Sequence, residues 1–324
     1  MTGPASLGAS PAADGVAAMT IAVAGGTGFV GGAIVEELER RGGHVVVLSH
    51  RPEAARSSLP VGIEVRRADV SGSGDALAGA LTGADALVIA LAFPNSPMED
   101  PARGFTFERV DAAGTEALAH AAARARVARL VYVSGAGAAP DAARHWFRAK
   151  WRAEEAIRSS GVTYTIVRPT WIYGPRDVSL NRFLGFAHRL PFVPLTGSGT
   201  QLLAPVFIGD VAGLVSDALI SPAAADRIFE IGGPEALTMR EIVRTALAVA
   251  GLRRAILPAP TFVVKAAALA LQHLPGHILT PGGVDFVNQP ATVDDGPLLA
   301  ALPRRLTPLR EGLATYLAPG RRSS

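Results

Sequence analysis

Apolar and polar positions first fall into a pattern at residue 20, where Thr20-Ile21-Ala22-Val23-Ala24 forms a run rich in β-branched residues and too short for a helix. Similar runs recur at 44–48, 63–66, 86–90, 129–133 and 163–168. Between them, over 29–41, 74–82, 107–126 and 146–160, apolar residues return every three or four positions, the period of a helix packed on one face. Continuous apolar strands are buried on both faces, and an intervening helix supplies the length that a parallel crossover needs. The alternation predicts an α/β fold with a doubly wound parallel sheet, helices on both faces, and ligands beyond the carboxyl ends of the strands.

Past Pro169 the pattern loosens. Tyr173-Gly174-Pro175 interrupts it, and short strands near 203–207 and 227–231 with helices near 210–219 and 238–250 predict a small C-terminal α/β lobe. The expected organisation is a disordered leader over 1–18, a dinucleotide-binding core over 19–175, a smaller substrate or partner lobe over 176–318 interleaved with the core, and a tail at 319–324. Met19, directly before the first strand, is an alternative start. The proline-bounded segment 257–276, which carries Lys265, reads foremost as a core helix. With Phe183, Phe186 and Phe192 it could instead wall an apolar ligand pocket, or it could meet a partner or a membrane surface.

Composition narrows the chemistry. The 324 residues are 49% hydrophobic, enough for a sizeable core, and contain no cysteine. That excludes disulfides, thiolate metal sites and a thiol nucleophile, and it suits a reducing cytoplasm; no metal site is expected. The net charge is only +3, spread along the chain and nearly all from arginine, which argues against a nucleic-acid partner. The only lysines are Lys150 and Lys265.

The first strand runs into Gly25-Gly26-Thr27-Gly28-Phe29-Val30-Gly31 and then directly into a helical pattern. Gly25 and Gly26 let the strand end abruptly, Gly28 lets backbone approach a pyrophosphate, and Gly31 lets the helix lie close to the sheet. The helix N-terminus offers free N–H groups to the phosphates. The second strand ends in Ser49-His50-Arg51 with no acid between Glu39 and Glu53 to hold a ribose 2′-hydroxyl. Arg51, with Ser49 and His50, suits a 2′-phosphate, so NADP(H) is favoured over NAD(H). Asp69-Val70 could meet the adenine, with a helix N-cap as the alternative for Asp69, and the small Ala90-Leu91-Ala92 could pass close to the ribose.

These motifs occur in a telling order. The glycine turn, Asp69-Val70, Val110-Asp111-Ala112-Ala113-Gly114-Thr115, Val131-Tyr132-Val133-Ser134, Val167-Arg168-Pro169 and Ile172-Tyr173-Gly174-Pro175 resemble the extended and atypical short-chain dehydrogenases/reductases. Pro205 to Ala212 and Phe229 to Pro234 continue the resemblance over about residues 19–317. Leu279-Thr280-Pro281 and Leu306 to Leu313 resemble the branch holding the Rossmann-type accessory subunit of respiratory complex I and its bacterial relatives. The resemblance implies an NAD(P) cofactor, with Pro169 near it, and a Ser, Tyr-x-x-x-Lys catalytic set.

In that set the lysine holds the nicotinamide ribose and lowers the tyrosine pKa, so that the phenol exchanges a proton with substrate. Ser134 and Lys150 stand at the expected places, but the tyrosine position is Trp146, and no tyrosine lies between Tyr132 and Tyr164. An indole N–H cannot replace a phenol as acid, and His145, one residue earlier, points about 100° away on a helix. Ser134 could orient a ligand or cap local backbone. The leading expectation is a protein that binds a dinucleotide without the standard redox step, the cofactor being structural, regulatory or a sensor. The alternatives are an active NADP-dependent oxidoreductase or isomerase on an apolar substrate such as a quinone or sterol-like compound, and an accessory subunit of a respiratory or membrane-associated complex. The expected location is cytoplasmic or peripheral at the membrane, with oligomeric state open.

Overall fold

The computed structural model describes residues 15–93, 98–271 and 281–317. Its centre is a seven-stranded sheet in the order β11-β6-β5-β4-β1-β2-β3, formed by β1 (Thr20–Ala24), β2 (His44–Ser49), β3 (Glu64–Arg67), β4 (Ala86–Ile89), β5 (Arg129–Val133), β6 (Tyr164–Pro169) and β11 (Arg227–Ile231). Every pairing is parallel, with β1 between β2 (Val23 opposite Val47) and β4 (Val23 opposite Val88). The chain leaves β1 in one direction for β2 and β3, then returns to build β4, β5 and β6 on the other side. Strand order therefore reverses beside β1, opening a crevice past Ala24 and Ile89.

The helices of this part are α1 (Phe29–Arg40), α2 (Pro52–Arg56), α3 (Gly74–Ala80), α4 (Gly114–Arg124) and α5 (His145–Ser159). On one sheet face, Ile34, Val35 and Leu38 of α1 pack with Val23, Val47 and Val131; on the other, Leu118 of α4 and Ile157 of α5 pack with Ala22, Leu87 and Ile166. The helix expected over 107–126 has an irregular start: Phe107–Ala113 is π-helical before α4 begins. Such i→i+5 turns often mark functional sites.

After β6 come β7 (Ile172–Tyr173), α6 (Val178–Arg189), β8 (Phe192–Thr196), β9 (Leu202–Leu203), β10 (Val206–Phe207) and α7 (Ile208–Ile220). β12 (Leu237–Thr238), α8 (Met239–Val249), β13 (Ala255–Ala259), α9 (Thr261–Leu271), α10 (Pro281–Val287), α11 (Gly296–Ala301) and α12 (Leu309–Leu317) follow β11. A third apolar cluster, with Tyr173, Leu184, Val193, Ile242, Leu247 and Leu313, forms the core of the C-terminal part.

Three expectations change. The strand at 227–231 belongs to the central sheet beside β6, not to the lobe, because Arg227 to Ile231 pair with Thr165 to Pro169. The run 203–207 divides, Leu203 pairing with Leu237 and Val206 with Ile172. The leader lies outside the described residues as far as residue 14, but its end packs: Val16 is fully buried in the first cluster. The tail at 319–324 is also outside them.

Candidate functional site

The glycine turn follows from close approach. Gly25 adopts φ +85°, and a Cβ there would lie 2.3 Å from the Ala90 carbonyl oxygen. At Gly31 a Cβ would meet the Gly25 oxygen at 2.1 Å, so α1 could not sit so near the turn with any larger residue. Gly28 differs: a Cβ would meet only that same oxygen, at 3.2 Å, and the other side is open. The Gly28 N–H donates to Gly25 (2.9 Å) and Gly28 caps α1, whose first turn has neither a side-chain cap nor an acid. Free N–H groups at a helix start over an open glycine form a shape that receives an anion. Thr27 is exposed there, and Phe29 and Val30 are half-buried.

At the end of β2, Ser49 Oγ accepts from the Arg51 N–H (3.1 Å), while His50 and Arg51 are exposed. Arg67, which sequence reasoning missed, donates to the His50 carbonyl (3.4 Å) and adds a second guanidinium at the end of β3. Its signal was the basic pair Arg66-Arg67 closing a strand next to β2. Asp69 Oδ1 accepts from the Ser71 N–H (2.9 Å) and hydroxyl (2.7 Å), and these bonds hold its carboxyl below the ordinary aspartate range. Val70 and Leu91 lie against Gly114, where any Cβ would crowd Val70 at 3.0 Å.

Lys150 sits on α5 with its Nζ 3.0 Å from Asp111 Oδ1 and 3.4 Å from the Tyr132 hydroxyl. Asp111, on the π-helical turn, is 1% exposed, and its Oδ2 has no partner among the described residues. Burial opposes the Lys150 charge, but Tyr132 and Asp111 more than restore it, and the ammonium is held above the ordinary lysine range. Burial raises the Asp111 carboxyl, opposed by Lys150, and pushes the Tyr132 phenol up to about 12. Tyr132 thus brings a phenol to Lys150 from inside the sheet, where it is fully buried.

Trp146, one helical turn before Lys150, packs 6.0 Å from Phe107 and 5.3 Å from His145 between ring centroids, and its buried Nε1 has no acceptor among the described residues. His145 Nε2 lies 3.1 Å from Glu99, whose other oxygen accepts from the Phe107 N–H (2.9 Å). Ser134 donates to Glu154 Oε1 (2.5 Å), and the fully buried Glu154 also receives Arg168 Nε (2.9 Å) and Nη2 (2.6 Å). The hydroxyl is thus engaged in the interior, in a network with no counterpart in the sequence reading. The Pro169 carbonyl accepts from Ala136 N–H (2.9 Å), fixing the loop after β5. Beyond that loop a cavity of about 440 Å³ is lined by Gly137, Arg144, Phe147, Asp285, Asn288 and Gln289. Asn288 Nδ2 and Gln289 Oε1 are buried there without partners among the described residues.

Residues 25–182 match a family described as NAD(P)H-binding. The chain is 29% identical over 233 residues to NADH dehydrogenase (ubiquinone) 1 alpha subcomplex subunit 9, mitochondrial, of Arabidopsis thaliana, covering 70% of this chain and 57% of that protein. It thus spans little more than half of that relative's length. It is 32% identical over 230 residues to a (4-alkanoyl-5-oxo-2,5-dihydrofuran-3-yl)methyl phosphate reductase of Streptomyces griseus, covering 68% and 70% of the two chains. The fold matches that of UDP-glucose 4-epimerase from Thermus thermophilus in complex with NAD, at a TM-score of 0.70 over 92% of this chain and 98% of that one, with 23% identity.

Proposed function

Because the chain belongs to the NAD(P)H-binding short-chain dehydrogenases/reductases, in their atypical branch near the complex I accessory subunit, we propose that it holds NADP(H) without the family's tyrosine-dependent redox step. Gly25, Thr27, Gly28, Phe29, Val30 and Gly31 take the pyrophosphate, and Ser49, His50 and Arg51, with Arg67, take the 2′-phosphate. Asp69 and Val70 meet the adenine, Ala90 and Leu91 the adenosine ribose, and Lys150 the nicotinamide ribose near Pro169. The observation that carries the reading is Trp146: an indole packed among aromatic rings stands one turn before Lys150. The other phenol near that lysine, Tyr132, is buried in the sheet. The cofactor's role is then structural, regulatory or sensory, in a cytoplasmic protein peripheral to a membrane.

The test is thermal shift and calorimetry with NADPH and NADH. NADPH should stabilise the protein more, and Arg51→Ala should weaken NADPH about tenfold or more, the value of a charge-assisted bond, while sparing NADH. No shift with either nucleotide refutes the reading. Steady NADPH consumption by the wild-type protein with a carbonyl or quinone refutes its non-catalytic part. The 440 Å³ cavity, with its unpartnered amide groups beside Phe147, supports a second reading: a reductase for a small, largely apolar ligand that carries a polar end.

A further inference from the structure

The apolar segment 257–276, expected foremost to be a core helix, is not buried over most of α9, while residues 272–276 lie outside the described residues. On α9, Phe262, Val263 and Leu269 are 75%, 47% and 58% exposed. Ala266, Ala267 and Ala270 are exposed with them, while Ala268 is fully buried. The helix's one charge, Lys265, is tied to Asp285 of α10 (2.5 Å), which also receives Arg144 (3.0 Å). The helix therefore turns apolar side chains to solvent and pairs its cation with the protein, the reverse of an ordinary surface helix. Pro260 joins it to β13, where Leu257 is also 46% exposed.

The chain entering β13 supplies the complementary charge. An open groove of about 790 Å³ is lined by Arg240 and Arg244, one turn apart on α8, and by Arg253 and Arg254, next to Ala255 and Ile256. Among the described residues no carboxylate lines it. Arg254 is braced by the Ala187 (2.8 Å) and Leu190 (3.1 Å) carbonyls, and Arg240 by Ser198 (3.2 Å), which aligns guanidinium groups without neutralising them. A continuous stretch, Arg253 to Leu269, thus carries cations followed by an exposed apolar face.

We propose that this stretch lies in the plane of an anionic lipid bilayer, with Phe262, Val263, Leu269 and Leu257 entering the headgroup boundary and the arginines meeting lipid phosphates. Apolar side chains flanked by arginines bind such an interface through buried area and charge together. This deepens the peripheral placement proposed above and does not depend on the nucleotide reading.

Co-sedimentation tests it, using the full chain with vesicles of phosphatidylcholine alone or mixed with phosphatidylglycerol. The protein should partition to the mixed vesicles, less so at high salt. Phe262→Glu/Leu269→Glu should abolish partitioning without lowering the melting temperature. Arg240→Ala/Arg244→Ala should weaken it about fivefold per arginine, since each is worth about 1 kcal/mol at such a surface. NADPH affinity, read in the same samples, should stay at the wild-type value, so a failure here is distinct from a failure of the nucleotide reading. Absence of partitioning, equal partitioning of the Phe262→Glu/Leu269→Glu protein, or a dimer that needs Phe262 in place of vesicle binding would each overturn the proposal.

Discussion

Ser134→Ala separates two roles that the same hydroxyl could play at the end of β5. The substitution removes one short bond, 2.5 Å, to a carboxylate that is fully buried. Glu154 keeps its two bonds from Arg168, so the charge stays paired and the loss is confined to the hydroxyl. A hydrogen bond to a charged group is worth about 1.5–3 kcal/mol, and in a chain of this size that lowers the melting temperature by about 2–4 °C. Circular dichroism melts and urea titration measure the effect, with calorimetry of NADPH binding on the same samples. NADPH affinity should be unchanged. The double-mutant cycle with Glu154→Gln should show strong coupling, because both changes break one network. A Ser134→Ala protein of wild-type stability that has lost affinity for NADPH or for a substrate would refute this reasoning.

Gly28→Ala and Gly31→Ala should part company. The first meets a single atom at 3.2 Å and should keep the wild-type melting temperature while abolishing NADPH binding; the second drives a Cβ to 2.1 Å from Gly25 and should destabilise the fold itself, both measured by thermal shift with and without nucleotide. Lys150→Met should cost about 3–5 kcal/mol by stranding a buried Asp111, and Lys150→Met/Asp111→Asn should recover most of it in urea titration. Only the double variant therefore gives a clean measure of the lysine's part in binding the cofactor. Asp177, the N-cap of α6, is raised to about 6 by burial despite accepting from the Ser179 and Leu180 N–H groups. A carboxyl raised in the folded state adds stability that is full below the unfolded aspartate range and lost as pH rises through about 6. Asp177→Asn should accordingly raise the melting temperature at pH 8, and the gain should disappear at pH 4.

Much of the sheet was legible because β1, β2, β4, β5 and β6 are largely buried on both faces and so read as nearly continuous apolar runs, with ends misplaced by a residue or so. β11 was not legible as a member. Its Arg227-Ile228-Phe229-Glu230-Ile231 alternates, as an edge strand should, and local pattern cannot reveal a partner so far back in the chain. The glycine turn was readable because steric exclusion at Gly25 and Gly31 leaves only one residue type. Glu154 carried no signal in the sequence, since only topology brings Arg168 and Ser134 to it. The apolar segment 257–276, read foremost as a core helix, is helical over α9 but largely uncovered there, because composition does not say which side of a helix is covered. Arg67 escaped notice for a related reason: it reaches His50 only because β3 lies beside β2.

The edge position of β11 has a consequence during synthesis. The Tyr164 N–H at the start of β6 is met by Asp226, 62 residues later, immediately before the strand that completes the sheet. At ribosomal rates of about 5–20 residues per second, β6 waits for roughly 3–12 s with an open hydrogen-bonding edge. Thr165, Ile166 and Val167 would make a ready template for another nascent chain over that interval. The strand ends in Arg168, a charge, and Pro169, which has no N–H to offer, and both discourage pairing with a stranger. Slowing translation between 170 and 231 should thus raise aggregation far more than slowing it beyond α12.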